Sequence, residues 1–413
     1  MANPAAGVFK QLAYKAESTY GTAPGQSAAQ ALRRVQSTID LAKDTYQSNE
    51  IRTDLQMQDY RHGVRRVGGK IGGELSAGTW KDFFAAALKR DFAAVTAITG
   101  ASITISGSGP TWTVARAAGS FLSDGIKTGM TVRLSVGSFN AANLSKNLFV
   151  VGVTALNLTV IVANGSALVA EGPIATSTVT VIGKVTYVPT SGHTDKSFAI
   201  EHYYSDLVQS ELFLGCKISK ISVGLPPTGL ATIDLDVAGQ DLAETTAKRG
   251  GIATTAQYFT SPTAQTSSGA MAAVNGVIRV GGVTYATITG ANFEINPNFS
   301  GDPVVGANTV PFQIPGRVLC SGQLTAYFDS VALRDAFVSE TEVDVLMIFT
   351  ADNSAAADFI TFSMHRVKVN GATKNDGEGG LVQTIPFQAL RNFAGGAGVA
   401  TEQTTIQVQD AQA

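Results

Sequence analysis

"DYRHGVRRVGGKIGGELS", residues 59–76, packs three arginines, a lysine, a histidine and five glycines into eighteen positions. A phosphate-binding loop, a nucleic-acid contact and a strand all compete for such a stretch. A phosphate loop needs a glycine five positions before Gly69 and a hydroxyl directly after Lys70. Its backbone N–H groups close round the anion while Lys and Ser/Thr reach phosphate and magnesium. Val64 and Ile71 stand at those two places. A dinucleotide loop would need a helix to open at the glycines, and the next helix signal comes several residues later. Alternation decides the matter. Val67, Gly69, Ile71, Gly73 and Leu75 fall on one side, with Gly68, Lys70, Gly72, Glu74 and Ser76 on the other. Period two predicts a strand with one apolar and one polar face.

Working outward, "TWKDFFAAALKR" at 79–90 predicts a helix. Thr79 would cap it, with Asp82 completing a capping box. Trp80, Phe83, Phe84, Ala87 and Leu88 form its buried stripe, and Lys89 and Arg90 sit near the C-terminal end, where the dipole favours cations. Upstream, residues 1–30 are rich in Ala, Gly, Pro and Gln and predict an extended arm, followed by strands over 32–41 and 44–51. Residues 97–183 are nearly free of acids and full of short Val/Ile/Thr runs broken by Gly, Ser and Asn, which predicts an inserted small all-β domain. Strands dominate from residue 196 onward. One helix interrupts them at 329–340, with Asp329 as cap and Val331, Leu333, Ala336 and Phe337 toward a core. No internal repeat is legible. The predicted class is mainly β: an antiparallel β-sandwich over 31–96 and 184–413 with two short flanking helices, plus the insert.

Composition narrows the function. The chain of 413 residues carries 30 Lys+Arg against 32 Asp+Glu, and only 15% of it is charged. Gripping nucleic acid takes concentrated cations, which such a chain lacks. His62, His193, His202 and His365 are scattered with no zinc-ligand spacing, no Gly-x-Ser-x-Gly elbow occurs, and Asp234 and Asp236 alternate onto the polar face of a strand. No catalytic residue, metal or cofactor is expected. Cys216 and Cys320 read as two buried thiols. The first residues lack a basic start and apolar core, so export is not expected, and no apolar run reaches the ~20 residues of a membrane helix. A secreted or surface β-sandwich adhesin or carbohydrate-binding protein is the alternative reading, and the secretion signal it predicts is missing.

The order of segments adds a resemblance. "AESTYGTAP" (16–24) precedes the long stretch from "QSNEIRTDLQMQDYRHG" to "TWKDFFAAAL" (47–88). Then come "IEHYYSDLVQSELFLGCKISKISVGL" (200–225), the turn "GQD" (239–241), "GQLTAYFDSVALRDAFVSETEVDVLMIF" (322–349) and "FITFSMHRVKVNG" (359–371). Together they resemble the tail tube proteins of tailed bacteriophages, over most of the chain outside 97–183. The resemblance implies a virion protein assembled in the host cytoplasm into hexameric rings stacked as a hollow tube. Its partners would be copies of itself, the tape measure, terminator and tail tip proteins, and double-stranded DNA that passes without being held, with no membrane insertion. Four strands from each of six subunits would line the bore. At about 4.8 Å between strands and a tilt near 40°, twenty-four strands give a backbone diameter of roughly 50 Å. The expected wall residues are Lys70, Glu74, Glu201 and Tyr203, with Lys70 needing a compensating carboxylate. The long loop at 52–63 is expected to reach a subunit of the adjacent ring through Arg52, Asp54, Asp59, Tyr60 and Arg61. The insert would decorate the outside.

Overall fold

The computed structural model describes residues 4–243, 257–264, 268–285, 287–376 and 378–413. Its first half contains β1 (Lys10–Ala16), β2 (Asp40–Gln47), β3 (Tyr60–Glu74), helix α1 (Lys81–Ala87), β4 (Phe198–Tyr204), β5 (Gln209–Leu225) and β6 (Thr232–Gly239). The second half contains β7 (Gly276–Val280), β8 (Ile288–Asn296), β9 (Leu319–Tyr327), helix α2 (Ala332–Val338), β10 (Val343–Thr350), β11 (Phe359–Val369) and β12 (Val382–Ala389). The expected mainly β class, with antiparallel sheets and two short helices, is what the chain adopts.

The halves repeat one topology, which corrects the expectation of no repeat. In the first, antiparallel pairing runs β2–β3–β6–β5–β4–β1. In the second it runs β8–β9–β12–β11–β10–β7. Each half opens with a lone strand, continues with a long-looped hairpin and a helix, and ends with a second hairpin and a strand that inserts between the two. "GELSA" at 73–77 and "GQLTA" at 322–326 mark the same place in β3 and β9. The halves are joined through β5, whose 221–225 edge pairs with 295–291 of β8.

One core unites both halves. It takes Ile71 and Leu75 from β3, Phe83 and Phe84 from α1, Ile221 and Val223 from β5, Phe293 from β8 and Phe362 from β11. Gly73 is required there: a Cβ would lie 2.5 Å from the Trp80 ring. Gly69 adopts φ +151, and a Cβ on it would come within 2.4 Å of the Thr38 carbonyl. Within the predicted 32–41 strand only Gln36–Ser37 and the start of β2 are extended, a further short strand lies just before it at Gln30–Ala31, and β2 ends at Gln47 rather than 51.

Three further expectations are corrected. The arm at 1–30 contains β1, paired over its full length with β4, with Leu12 and Tyr14 in the main core. The α1 capping box does not form, because Ser76 donates to the Thr79 hydroxyl at 2.7 Å and Asp82 accepts from the Tyr14 hydroxyl at 2.8 Å. Helix α2 begins after Val331, with Asp329 taking a hydrogen bond from Thr287 instead of capping, and none of its residues is fully buried.

Between α1 and β4, the strands Ile98–Gly107, Thr111–Arg116, Thr131–Ser135, Leu148–Val153, Asn157–Val162 and Glu171–Val181 close into a six-stranded barrel with its own core. The barrel is fixed to the sandwich by Phe149 against Leu346, Ile348 and Phe359. The buried Gln409 amide also accepts from Thr131 N–H and donates to the Thr131 and Ile182 carbonyls at 2.7–3.0 Å.

Candidate functional site

Alternation along six adjacent strands produces one continuous polar face. Gly72, Asp234, Ser222, Glu294, Ser321 and Gln388 lie in a single cross-strand row over β3, β6, β5, β8, β9 and β12. Two residues along, Glu74, Thr232, Gly224, Asn292, Gln323 and Pro386 form a second row. Between them Gly73, Ile233, Val223, Phe293, Gly322 and Phe387 face the core, so the sheet is a wall with a dry back and a wet front. A shallow depression of about 530 Å³ lies on the front, lined by Ser222, Asp234, Asn292, Glu294, Ser321 and Gln323 among others.

The cations of this face are held by carboxylates. Lys70 lies 3.6 Å from Asp236, and Lys220 lies 3.4 Å from Asp236 and 3.6 Å from Glu294. Partial burial works against the charge on Lys220, but Asp236 and Glu294 outweigh it and raise its pKa above the ordinary lysine value. Lys70, Asp236 and Lys220 form a third row on the same face, where with Glu74, Asp234 and Glu294 the two lysines face four carboxylates, and Lys368, opposite Gln388 at the end of the first row, pairs with Glu340 at 3.3 Å. A polyanion sliding past meets no free cation along these rows. Lys70 and Glu74 are both exposed here.

Glu201 and Tyr203 are not on this face. Glu201 is fully buried on β4, where its carboxylate accepts from the Tyr258 N–H, from the Phe259 N–H at 2.9 Å and from the Ser210 hydroxyl at 2.6 Å. It is a structural anchor for the 257–264 segment, and its assignment to a wall is corrected. Tyr203, half-buried, lines a different groove beside Lys10 and Arg34. The parity argument failed because β4 is covered on both sides: Phe198, Ala199, Ile200, Glu201 and His202 are all buried in succession.

The β2–β3 hairpin projects from the wall. β3 pairs with β6 only as far as Val67, while its pairing with β2 continues to Tyr60. At about 3.4 Å per residue, seven residues carry the hairpin roughly 24 Å beyond the neighbouring strand. Its base is braced where Arg65 N–H donates to the Asn308 carbonyl at 2.7 Å and the Arg65 guanidinium meets Asp241 at 2.8 Å.

In the 48–59 loop at its tip, the charged residues singled out from sequence pair with each other. Arg52 binds Asp54 at 2.7 Å and also Gln58, and Arg61 binds Asp59 at 2.7 Å. The Arg52 guanidinium holds the Asp54 carboxyl below its usual range, and Arg61 does the same for Asp59. Tyr60 stands edge-on to His62. These contacts shape the loop and leave its apolar residues outside, with Ile51 99%, Leu55 95% and Met57 60% exposed. Sequence reasoning missed this trio, although three large apolar residues in an otherwise polar loop were the available signal. The corresponding loop of the second half, 297–318, likewise presents Val305, Phe312 and Ile314 to solvent.

Among the described residues no group of three His, Cys, Asp or Glu side chains is placed to hold a metal ion, and no helix is long and apolar enough to cross a membrane. The model of one family, described as phage tail tube protein, matches residues 10–389. No curated protein matches the chain.

Proposed function

From a chain that belongs to the phage tail tube protein family, and so to a structural component of a virion tail, we propose the following assembly and role. Copies form rings of six four-stranded units that stack into a hollow tube, and double-stranded DNA passes through it on ejection. Each unit contributes the strand set β2, β3, β6 and β5, or its counterpart β8, β9, β12 and β11, with the polar rows turned to the bore. The observation that carries this reading is the continuous polar face in which Lys70 and Lys220 are compensated by Asp236 and Glu294. Such a wall is wetted yet lacks the unpaired cations that would make a passing phosphate backbone stick.

Stacking is assigned to the loops. Ile51, Leu55 and Met57 at the hairpin tip bury themselves against the adjacent ring, and the ion pairs at Arg52, Asp54, Asp59 and Arg61 hold the tip in shape. Burying each apolar side chain contributes about 1.5–3 kcal/mol, repeated around the ring. Assembly takes place in the host cytoplasm, with other tail proteins capping the ends, and the chain acts as scaffold and conduit without catalysis.

Electron microscopy of the purified protein tests this. Rings or tubes with a central hole are expected from the wild type. Leu55→Asp, at a fully solvated position of the single chain, is expected to leave rings that no longer stack. Persistent monomers at high concentration would overturn the reading, and full-length tubes from Leu55→Asp would overturn the role of the loop.

A further inference from the structure

A sheet that repeats within one chain has two different ends. At one end is β2, which pairs with β3 along one side only; among the described residues no strand meets its other edge. At the other end is the β11 segment continuing through Thr373–Lys374. It pairs with β12 at 367–369 and 373–374, and past Val367 no described strand meets its opposite edge. These two ends correspond by topology to β8 and β5, and β5 and β8 are already paired with each other in the middle of the chain through 221–225 and 295–291. The molecule therefore contains one finished copy of a joint, and the two unfinished halves of another.

The helices carry the same message. α1 is buried from Phe83 to Ala87, with Phe83 and Phe84 at 0% and 1% exposure, and part of its cover comes from the second half, where Phe362 lies 5.8 Å from Phe84 between ring centroids. α2 occupies the equivalent place after β9, but no second-half successor exists to cover it. Phe337 remains 45% and Val338 72% exposed, beside a groove lined by Lys368, Val369 and Asn370 along the unfinished edge. An amphipathic helix that is covered in one repeat and bare in the other lacks a neighbour rather than a core.

We propose that the missing neighbour is the first half of a second copy of this chain. Its β2 edge pairs along 368–374, its β5 region covers α2, and three chains close the ring. The proposal rests on the tube reading above and makes its six units from three chains, in place of the six subunits that the resemblance implies. Each chain supplies eight wall strands, β2, β3, β6, β5, β8, β9, β12 and β11, so three chains give twenty-four strands and the backbone diameter of roughly 50 Å. Six chains would give forty-eight strands and a backbone diameter of roughly 95 Å, which would not confine a duplex. The contact is heterologous, with different surfaces meeting head to tail, and such a contact forms a ring when its rotation closes. Six-fold geometry of domains then coexists with three-fold symmetry of chains, and only half of the six units carry the barrel between Ile98 and Val181.

Electron cryomicroscopy of wild-type tubes, with native mass spectrometry of isolated rings, provides the test. Three chain masses per ring and three barrel-sized outer densities at 120° intervals are expected. Six chain masses or six barrels per ring would overturn the proposal while leaving the tube reading intact. Absence of any ring would overturn the tube reading, and this assignment with it. Val338→Asp, at a position exposed in the single chain, is expected to give a folded monomer by circular dichroism and no rings. Normal ring formation by that variant would count against α2 as the covered surface.

Discussion

Replacing Glu201 by glutamine separates a wall residue from a structural anchor. A carboxylate in an open polar wall could become an amide at almost no cost to folding, since exposed charges contribute little. The structure gives a different expectation. Glu201 accepts two backbone N–H groups and one hydroxyl in a fully buried site. Glutamine has one acceptor oxygen, so its NH2 must face a donor, and at least one buried N–H or O–H is left without an acceptor. Losing a hydrogen bond to a charged group costs about 1.5–3 kcal/mol, and stranding the buried donor adds about 1–3 kcal/mol, so Glu201→Gln should cost roughly 2.5–6 kcal/mol. The loss is a large share of a domain stability of about 5–15 kcal/mol. Guanidinium unfolding followed by Trp80 fluorescence reads it directly. Trp80 is buried in the main core, and a Trp112→Phe background removes the barrel signal. A loss below about 1 kcal/mol, with the native spectrum intact, would refute the anchoring argument.

Two other expectations concern charge. Asp236→Asn takes from Lys70 its bridging carboxylate and leaves Lys220 with Glu294 alone. Tubes of this variant should retain DNA at low salt in co-sedimentation, and retention should fall steeply as salt rises; wild-type behaviour would contradict the compensation argument. Burial, with Lys10 and Arg34 nearby, pushes His202 down to about 3, and burial pushes His365 down to about 4. Both folded values lie below the unfolded 6.5, so the unfolded state binds more protons at acid pH. Stability should be lost as pH falls from 6.5 toward 4, by about 1.4 kcal/mol per unit for each histidine. His202→Gln should remove its share of that slope in denaturant titrations at successive pH values; an unchanged slope would contradict the assignment.

What was legible in the sequence was whatever depended on one strand or helix and one covered face. The alternation from Val67 to Ser76 gave both the strand and its polar side, because only the core-facing side of β3 is packed. The aromatic stripe of α1 was read correctly for the same reason. Glu201 was misplaced because β4 is covered from both sides, so its neighbours in sequence do not report which face is wet. β1 was hidden because a seven-residue strand sits inside an Ala/Gly/Pro-rich segment whose overall composition looks extended. The repeat escaped notice because the barrel separates the elements of one half and not the other, and little beyond "GELSA" and "GQLTA" survives in the letters. In the loop, attention went to Arg52, Asp54, Asp59 and Arg61, and those charges neutralise one another while Ile51, Leu55 and Met57 stay bare.

The pairing of 221–225 with 295–291 inside one chain also bears on how quickly and at what concentration a ring can form. Each bimolecular association carries a loss of translational and rotational freedom, on the order of 4–15 kcal/mol. A joint tied within the chain forms during folding at the effective concentration set by its tether, and does not depend on how many other copies are present. In the proposed ring of three chains, three of six lateral joints are made in this way, and ring closure becomes a three-body process in place of a six-body one. The concentration threshold for nucleation drops accordingly, and partial rings with an odd number of units cannot arise.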